Sequence, residues 1–173
     1  MSEDNRIEML KPKIGKVTVS MGVGEAGERL VKAEKILGII TSKKPVRCYA
    51  KNINRDFGIR KGMPIGCKVT LRKDEAIGFL RRSLKAKNDE VLITSFDREG
   101  NFSFGISEYT DLEGVKYYPD IGMFGMDVCV TMEKTGYRLR HRKIRKRNVP
   151  SKHRMKEKEA IAAVEALGVK VVE

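Results

Sequence analysis

From Lys16 to Met21 the chain alternates, with Val17, Val19 and Met21 apolar and Lys16, Thr18 and Ser20 polar, which is the period of a strand with one buried and one polar face. The alternation returns from Val46, where Val46, Cys48 and Ala50 interleave with Arg47, Tyr49 and Lys51, and from Cys67, where Cys67, Val69 and Leu71 interleave with Lys68, Thr70 and Arg72. Two later stretches behave alike: Phe102, Phe104 and Ile106 against Ser103, Gly105 and Ser107, then Met126, Val128, Val130 and Met132 against Asp127, Cys129 and Thr131. Leu30, Ala33, Ile36, Leu37 and Ile40 instead recur at helical spacing, as do Ile77, Leu80 and Leu84 behind Asp74, the expected N-cap. A last helix follows Ser151, carries Ile161, Val164 and Leu167, and is closed by Gly168.

The breaks are as informative. Gly22, Gly24 and Gly27 turn the first strand into the first helix, and Tyr109 to Phe124 is expected to be a long connection. Asn52 to Gly66 holds Gly58, Gly62, Pro64 and Gly66 with Arg55, Arg60 and Lys61, and predicts a long, flexible, basic hairpin loop. The expected fold is a single α+β domain over residues 1–173, with helices packed on one face of a mainly antiparallel sheet. Its core spans residues 14–133, followed by a basic segment at 134–154 and a C-terminal helix at 155–168.

Charge changes the picture more than composition does. With 173 residues and 40% hydrophobic content the chain can bury one ordinary core, but Lys and Arg outnumber Asp and Glu by 36 to 23, a formal charge of +13. The excess sits in residues 43–73 and 134–158, whereas 74–133 is net acidic. A solubility coat would be scattered, so two separate blocks point to a polyanionic partner. The three cysteines lack the spacing of a zinc knuckle and the two histidines stand apart, so neither a metal nor any other cofactor is expected. Glu3 and Asp4 near the start do not suit a signal peptide, and no apolar run is long enough to span a membrane; a cytoplasmic protein with free thiols and no membrane partner is expected.

Gly22-Val23-Gly24-Glu25-Ala26-Gly27 matches the dinucleotide fingerprint between a strand and a helix. An NADP-dependent enzyme is the alternative it raises. Thr41 to Lys51 supply no acid for the ribose hydroxyls, only Arg47 for a 2′-phosphate, and strands and helices do not alternate into a doubly wound sheet. Catalytic residues have no candidates. Phe102 and Phe104 could stack bases, but with Ile106 in phase they are read as core.

The polar strand positions are more specific. Lys16, Ser20, Arg47, Lys51, Lys68, Thr70 and Arg72 are expected on one cationic, hydroxyl-rich platform able to follow phosphates and ribose hydroxyls. Arg138, Arg140, Arg142, Lys143, Arg145, Lys146 and Arg147 repel one another and are expected to form an arm that is disordered in solution and orders only against RNA.

Lys16 to Glu25, Lys44-Pro45, Phe57 to Gly62, Pro64 to Arg72, Ser95-Phe96-Asp97, Gly100 to Ser103 and Gly125-Met126-Asp127 together resemble the ribosomal protein L-five family, across residues 14–133 without a gap. The basic segment and final helix resemble its archaeal and eukaryotic branch. The resemblance implies a structural protein of the large subunit that binds 5S ribosomal RNA in the central protuberance, with ribosomal RNA as the polyanion that orders the basic arm. It also implies neighbouring large-subunit proteins and RNA, the small-subunit protein S-thirteen and the P-site transfer RNA as partners. The implied 5S contacts fall on Lys16, Ser20, Lys43, Arg60 and Thr70, with Asn common at Ser20 and Gln at Lys43 in bacterial members. The implied transfer-RNA-facing loop holds Arg55, Asp56, Phe57, Gly58, Ile59 and Lys61. A free RNA-binding regulator is the remaining reading.

Overall fold

The alternating run at the start of the chain becomes the centre of the molecule. In a computed structural model, which describes residues 9–172, β1 (Pro12–Gly22) pairs antiparallel with β3 (Pro64–Leu71) on one side and with β6 (Met126–Lys134) on the other. With β2 (Val46–Tyr49) beyond β3 and β5 (Phe102–Ile106) beyond β6, the sheet runs β2-β3-β1-β6-β5, antiparallel throughout. The expected α+β fold is the observed one.

The β1 register sets which side chains share a face. Val17, Val19 and Met21 lie opposite Leu71, Val69 and Cys67, and Val17 and Val19 also lie opposite Val130 and Val128. All of these are buried. Each such aliphatic side chain contributes about 1.5–3 kcal/mol relative to exposure, enough to hold the alternation in register against a one-residue slip. Helix α1 (Glu28–Thr41) brings Leu30, Ala33, Ile36, Leu37 and Ile40 onto this face over β3, and α2 (Lys73–Ala86) brings Ala76, Phe79, Leu80 and Leu84 over β1. Phe102 is buried on the same side and Phe104 packs against the core beside it, so these rings stack on each other and not on bases.

Three local expectations are corrected. Asp74 does not cap α2; it lies in the first turn, and the cap position is Arg72, without a side-chain hydrogen bond. The last helix, α4 (Glu157–Glu165), starts six residues beyond Ser151, which begins a single 3-10 turn, and Leu167 is exposed. A second small sheet was not foreseen: β4 (Glu90–Leu92) pairs in parallel with β7 (Lys170–Val172).

The basic segment is tethered at both ends. A short helical turn, α3 (Arg138–His141), leads into a loop closed by the Arg147 N–H on the Leu139 carbonyl at 3.2 Å. The Met155 N–H donates to the Tyr137 hydroxyl at 2.6 Å, and Val149 and Met155 are buried. Buried Lys134 meets Glu159 of α4 at 2.5 Å. Expectation of a free arm is corrected to a loop clamped between docked flanks, because the anchors lie just outside the run of cations.

Candidate nucleic-acid interface

Both helices cover one face of the sheet, and among the described residues the opposite face is open. Burial on β1 alternates so that Lys16, Thr18 and Ser20 stand on this open side, and the register places Thr18 against Thr70 and Ser20 against Lys68. Arg72, exposed just beyond β3, continues the alternation. On the other flank of β1 the face continues through Thr131, Cys129 and Asp127, opposite Lys16, Thr18 and Ser20, to Ser103 and Gly105 of β5. The result is a band of hydroxyls with ammonium groups on the β1–β3 side and one carboxylate, Asp127, toward β6. Thr18, at its centre, was visible as a polar strand position but was not singled out; a lone threonine carries no charge signal.

Arg47 leaves the platform, and Lys51 lies beyond the end of β2. In the β2–β3 register it lies opposite buried Cys67, on the helix side, while Val46 lies opposite Lys68 and is 61% exposed. The Arg47 guanidinium binds Glu34 of α1 through both carboxylate oxygens, at 2.5 and 3.1 Å, which raises its pKa further. The expected phase of β2 was therefore inverted. Lys43, in the turn after α1, pairs with Glu75 in the first turn of α2 and is not on the sheet. Arg60 is exposed at the base of the β2–β3 loop.

That loop is a hairpin with its own hydrogen bonds. Ala50 and Met63, then Asn54 and Ile59, pair across it, and the Gly58 N–H closes a tight turn on the Arg55 carbonyl at 3.0 Å. The Asn54 side chain accepts the Asp56 N–H, and Gly58 takes φ 64, which a residue without Cβ reaches at little cost. At this tip, with Arg55, Asp56, Ile59 and Lys61 around it, Phe57 is 75% exposed.

The basic segment meets the sheet at a cleft lined by Lys16, Thr131, Glu133, Tyr137, Arg140 and His141. Arg140 is held at 3.3 Å from Glu99, and His141 stands 3.7 Å from Glu133. The basic segment thus borders Lys16 on the open face of β1, more than a hundred residues away in sequence.

Thiol chemistry is muted on both faces. Burial pushes Cys67 up to about 11, and burial together with Asp127 raises Cys129, the exposed thiol in the middle of the open face. Among the described residues no group of His, Cys, Asp and Glu could hold a metal ion, and no helix is long and apolar enough to cross a membrane. Around the glycine fingerprint, β1 has antiparallel neighbours on both sides, so the parallel crevice that binds a dinucleotide is not formed.

Two family models cover the chain: ribosomal protein L5 matches residues 8–60, and the C-terminus of the same ribosomal family matches 64–162. The large ribosomal subunit protein uL5 of Methanococcus aeolicus is 48% identical over 167 residues, covering 94% of this chain and 92% of its own. That of Thermoplasma volcanium is 52% identical over 153 residues, covering 88% and 90%, and that of Picrophilus torridus 47% over 174 residues, covering 99% of each. The chain belongs to the ribosomal protein L5 family.

It is therefore a structural constituent of the large ribosomal subunit, in the cytoplasm as part of the ribosome, and not an enzyme. Several motifs that carry the L5 resemblance are architectural. The Asp97 carboxylate accepts the N–H groups of Glu99 and Asn101 and the Asn101 side-chain amide, while Asn101 in turn accepts the Met132 N–H. Ser95-Phe96-Asp97 and Gly100-Asn101 thus tie the β5 turn to β6. Gly66 serves packing: a Cβ there would stand 2.7 Å from the Met21 carbonyl oxygen.

Proposed function

We propose that this protein binds 5S ribosomal RNA through the open face of its sheet and so anchors that RNA in the central protuberance. The observation that carries the reading is the uncovered β1–β3 surface, where Lys16, Thr18, Ser20, Lys68 and Thr70 lie side by side. Ammonium groups suit phosphates, and a row of hydroxyls suits ribose 2′-hydroxyls and base edges without discriminating by charge alone. Arg60 and Arg72 flank this surface; Lys43 and Arg47, engaged by Glu75 and Glu34, contribute less.

Further partners follow the family resemblance. The hairpin tip suits the P-site transfer RNA, because exposed Phe57 offers a stacking surface between Arg55 and Lys61. The connection after β5, with exposed Glu108, Asp111, Glu113 and Asp120, suits a basic protein such as the small-subunit protein S-thirteen. Cations from Arg138 to Arg147 suit large-subunit RNA, alongside the other proteins of the central protuberance.

The test is competition binding near physiological salt. 5S RNA should bind more tightly than transfer RNA, and Lys16→Ala and Thr70→Ala should each weaken it by about 1 kcal/mol. Equal affinity for both RNAs, or a double variant that binds like wild type, would remove the platform. Trimming the hairpin tip should spare 5S binding and lower P-site occupancy on assembled ribosomes; unchanged occupancy refutes its role.

A further inference from the structure

Among the described residues the most exposed large apolar side chain is Ile144, at 77%, in the middle of the most basic part of the chain. Residues 136–154 contain no acidic residue. A single exposed isoleucine is ordinary on a protein surface. Here, however, the backbone beneath it is constrained to hold a turn: Arg145 takes φ 52, a conformation that a branched or bulky side chain resists, and the Arg142 Nε donates to the Arg145 carbonyl at 2.7 Å. The Arg147 N–H on the Leu139 carbonyl closes the same loop. Docked Tyr137 and Val149 fix where it leaves and rejoins the body.

We propose that Ile144 is an apolar wedge that docks against an unstacked base of large-subunit RNA, while Arg142, Lys143, Arg145 and Lys146 neutralise the phosphates on either side. This rests on the reading of the basic segment as an RNA contact and names what it recognises. Charge decides the partner: a run of cations without an acid is costly to desolvate against a protein, whereas RNA supplies a phosphate counter-charge at every nucleotide. Geometry decides the site. A continuous A-form duplex buries its base faces and shows a charged rim; bulges and loops expose faces that an isoleucine can cover, as apolar wedges do between base steps of bent DNA.

The experiment uses the full chain with a continuous RNA duplex, the same duplex interrupted by a bulge, and 5S RNA, each titrated at several salt concentrations. Ile144→Ala should weaken binding to the bulged duplex about fivefold, or ~1 kcal/mol at 1.4 kcal/mol per decade. It should leave the continuous duplex and the salt slope unchanged, since no charge is altered. Ile144→Phe should restore the preference for the bulge. An Ala variant that binds the bulged duplex like wild type, or loses equally on both duplexes, overturns the wedge. Photocrosslinking from position 144 in assembled ribosomal particles supports the proposal if adducts form with RNA and overturns it if they form only with a protein. Wild-type binding without salt dependence would instead sink the reading of the basic segment as a whole.

Discussion

Removing Glu159 should cost more than removing its partner Lys134, although the two make one ion pair. Lys134 is 5% exposed at the end of β6, and its ammonium reaches Glu159 at 2.5 Å. Glu159 also accepts the Lys156 N–H that begins α4, at 3.1 Å. With Glu159→Ala the ammonium stays buried with its counter-charge removed, a change that costs ~3–5 kcal/mol when the pair is fully dry. Glu159 is 42% exposed, so water reaches one side, and about 2 kcal/mol is the reasonable share. Loss of the capping bond adds ~1 kcal/mol, giving about 3 kcal/mol in total. Lys134→Met keeps the aliphatic stem, removes the buried charge, and leaves Glu159 solvated and still capping; it should cost less than about 1 kcal/mol. The assay is urea denaturation with amide exchange of α4. Equal losses for the two variants, or a larger one for Lys134→Met, would refute the argument that desolvation dominates. The pH dependence carries a definite sign: the hydrogen bond from Lys134 lowers the Glu159 pKa, so α4 gains stability above the normal carboxylate range and loses it as pH falls through the lowered value. Glu159→Gln should lack that loss.

Other expectations are quicker to state. Gly66→Ala should destabilise by about 2 kcal/mol, since its Cβ would meet the Met21 carbonyl at 2.7 Å, whereas Gly22→Ala, with nothing within 4 Å, should cost well under half of that; equal denaturation midpoints would contradict it. Neutralising Arg138, Arg140, Arg142 and Arg145 together should flatten the slope of log affinity against log salt for large-subunit RNA by roughly 3, at about 0.7–0.9 per phosphate contact, and an unchanged slope would mean that these cations touch no RNA. Alkylation of Cys129 should be slow at neutral pH and accelerate as pH rises, because its thiol pKa is raised, and bound 5S RNA should protect it; full reactivity in the complex would place the RNA elsewhere.

What was legible in the sequence is what repeats locally. Val17, Val19 and Met21 announced a face, and the apolar positions of α1 announced its stripe, because each is decided by burial along one element. β2 was misread because Val46-Arg47-Cys48-Tyr49 alternates equally well in either phase, and the choice was made by Glu34 on a helix that local pattern cannot see. The β4–β7 pair joins Val91 to Val171 across the whole C-terminal half, and three-residue strands leave no periodic trace. In the basic segment the repulsion among cations was plain, but the Tyr137 hydroxyl, Val149 and the Lys134–Glu159 pair that hold its flanks act between elements. For the candidate interface, the polar residues of β1 and β3 were found, while the loss of Arg47 and Lys43 to acidic partners needed the tertiary structure.

The central place of β1 bears on how the chain is made. Its partner β3 follows within fifty residues, whereas β6 is separated from it by more than a hundred. During synthesis the N-terminal half can therefore assemble β1, α1, β2, β3 and α2 into a three-stranded layer with its helices in place while one edge of β1 still has no neighbour. The hydroxyl and ammonium row on β1 and β3 belongs wholly to that first-made layer. Closing the exposed edge with β6, and then locking Lys134 under α4, comes last, so the nascent chain carries its lysine and threonine surface before it has sealed its own hydrogen-bonding edge.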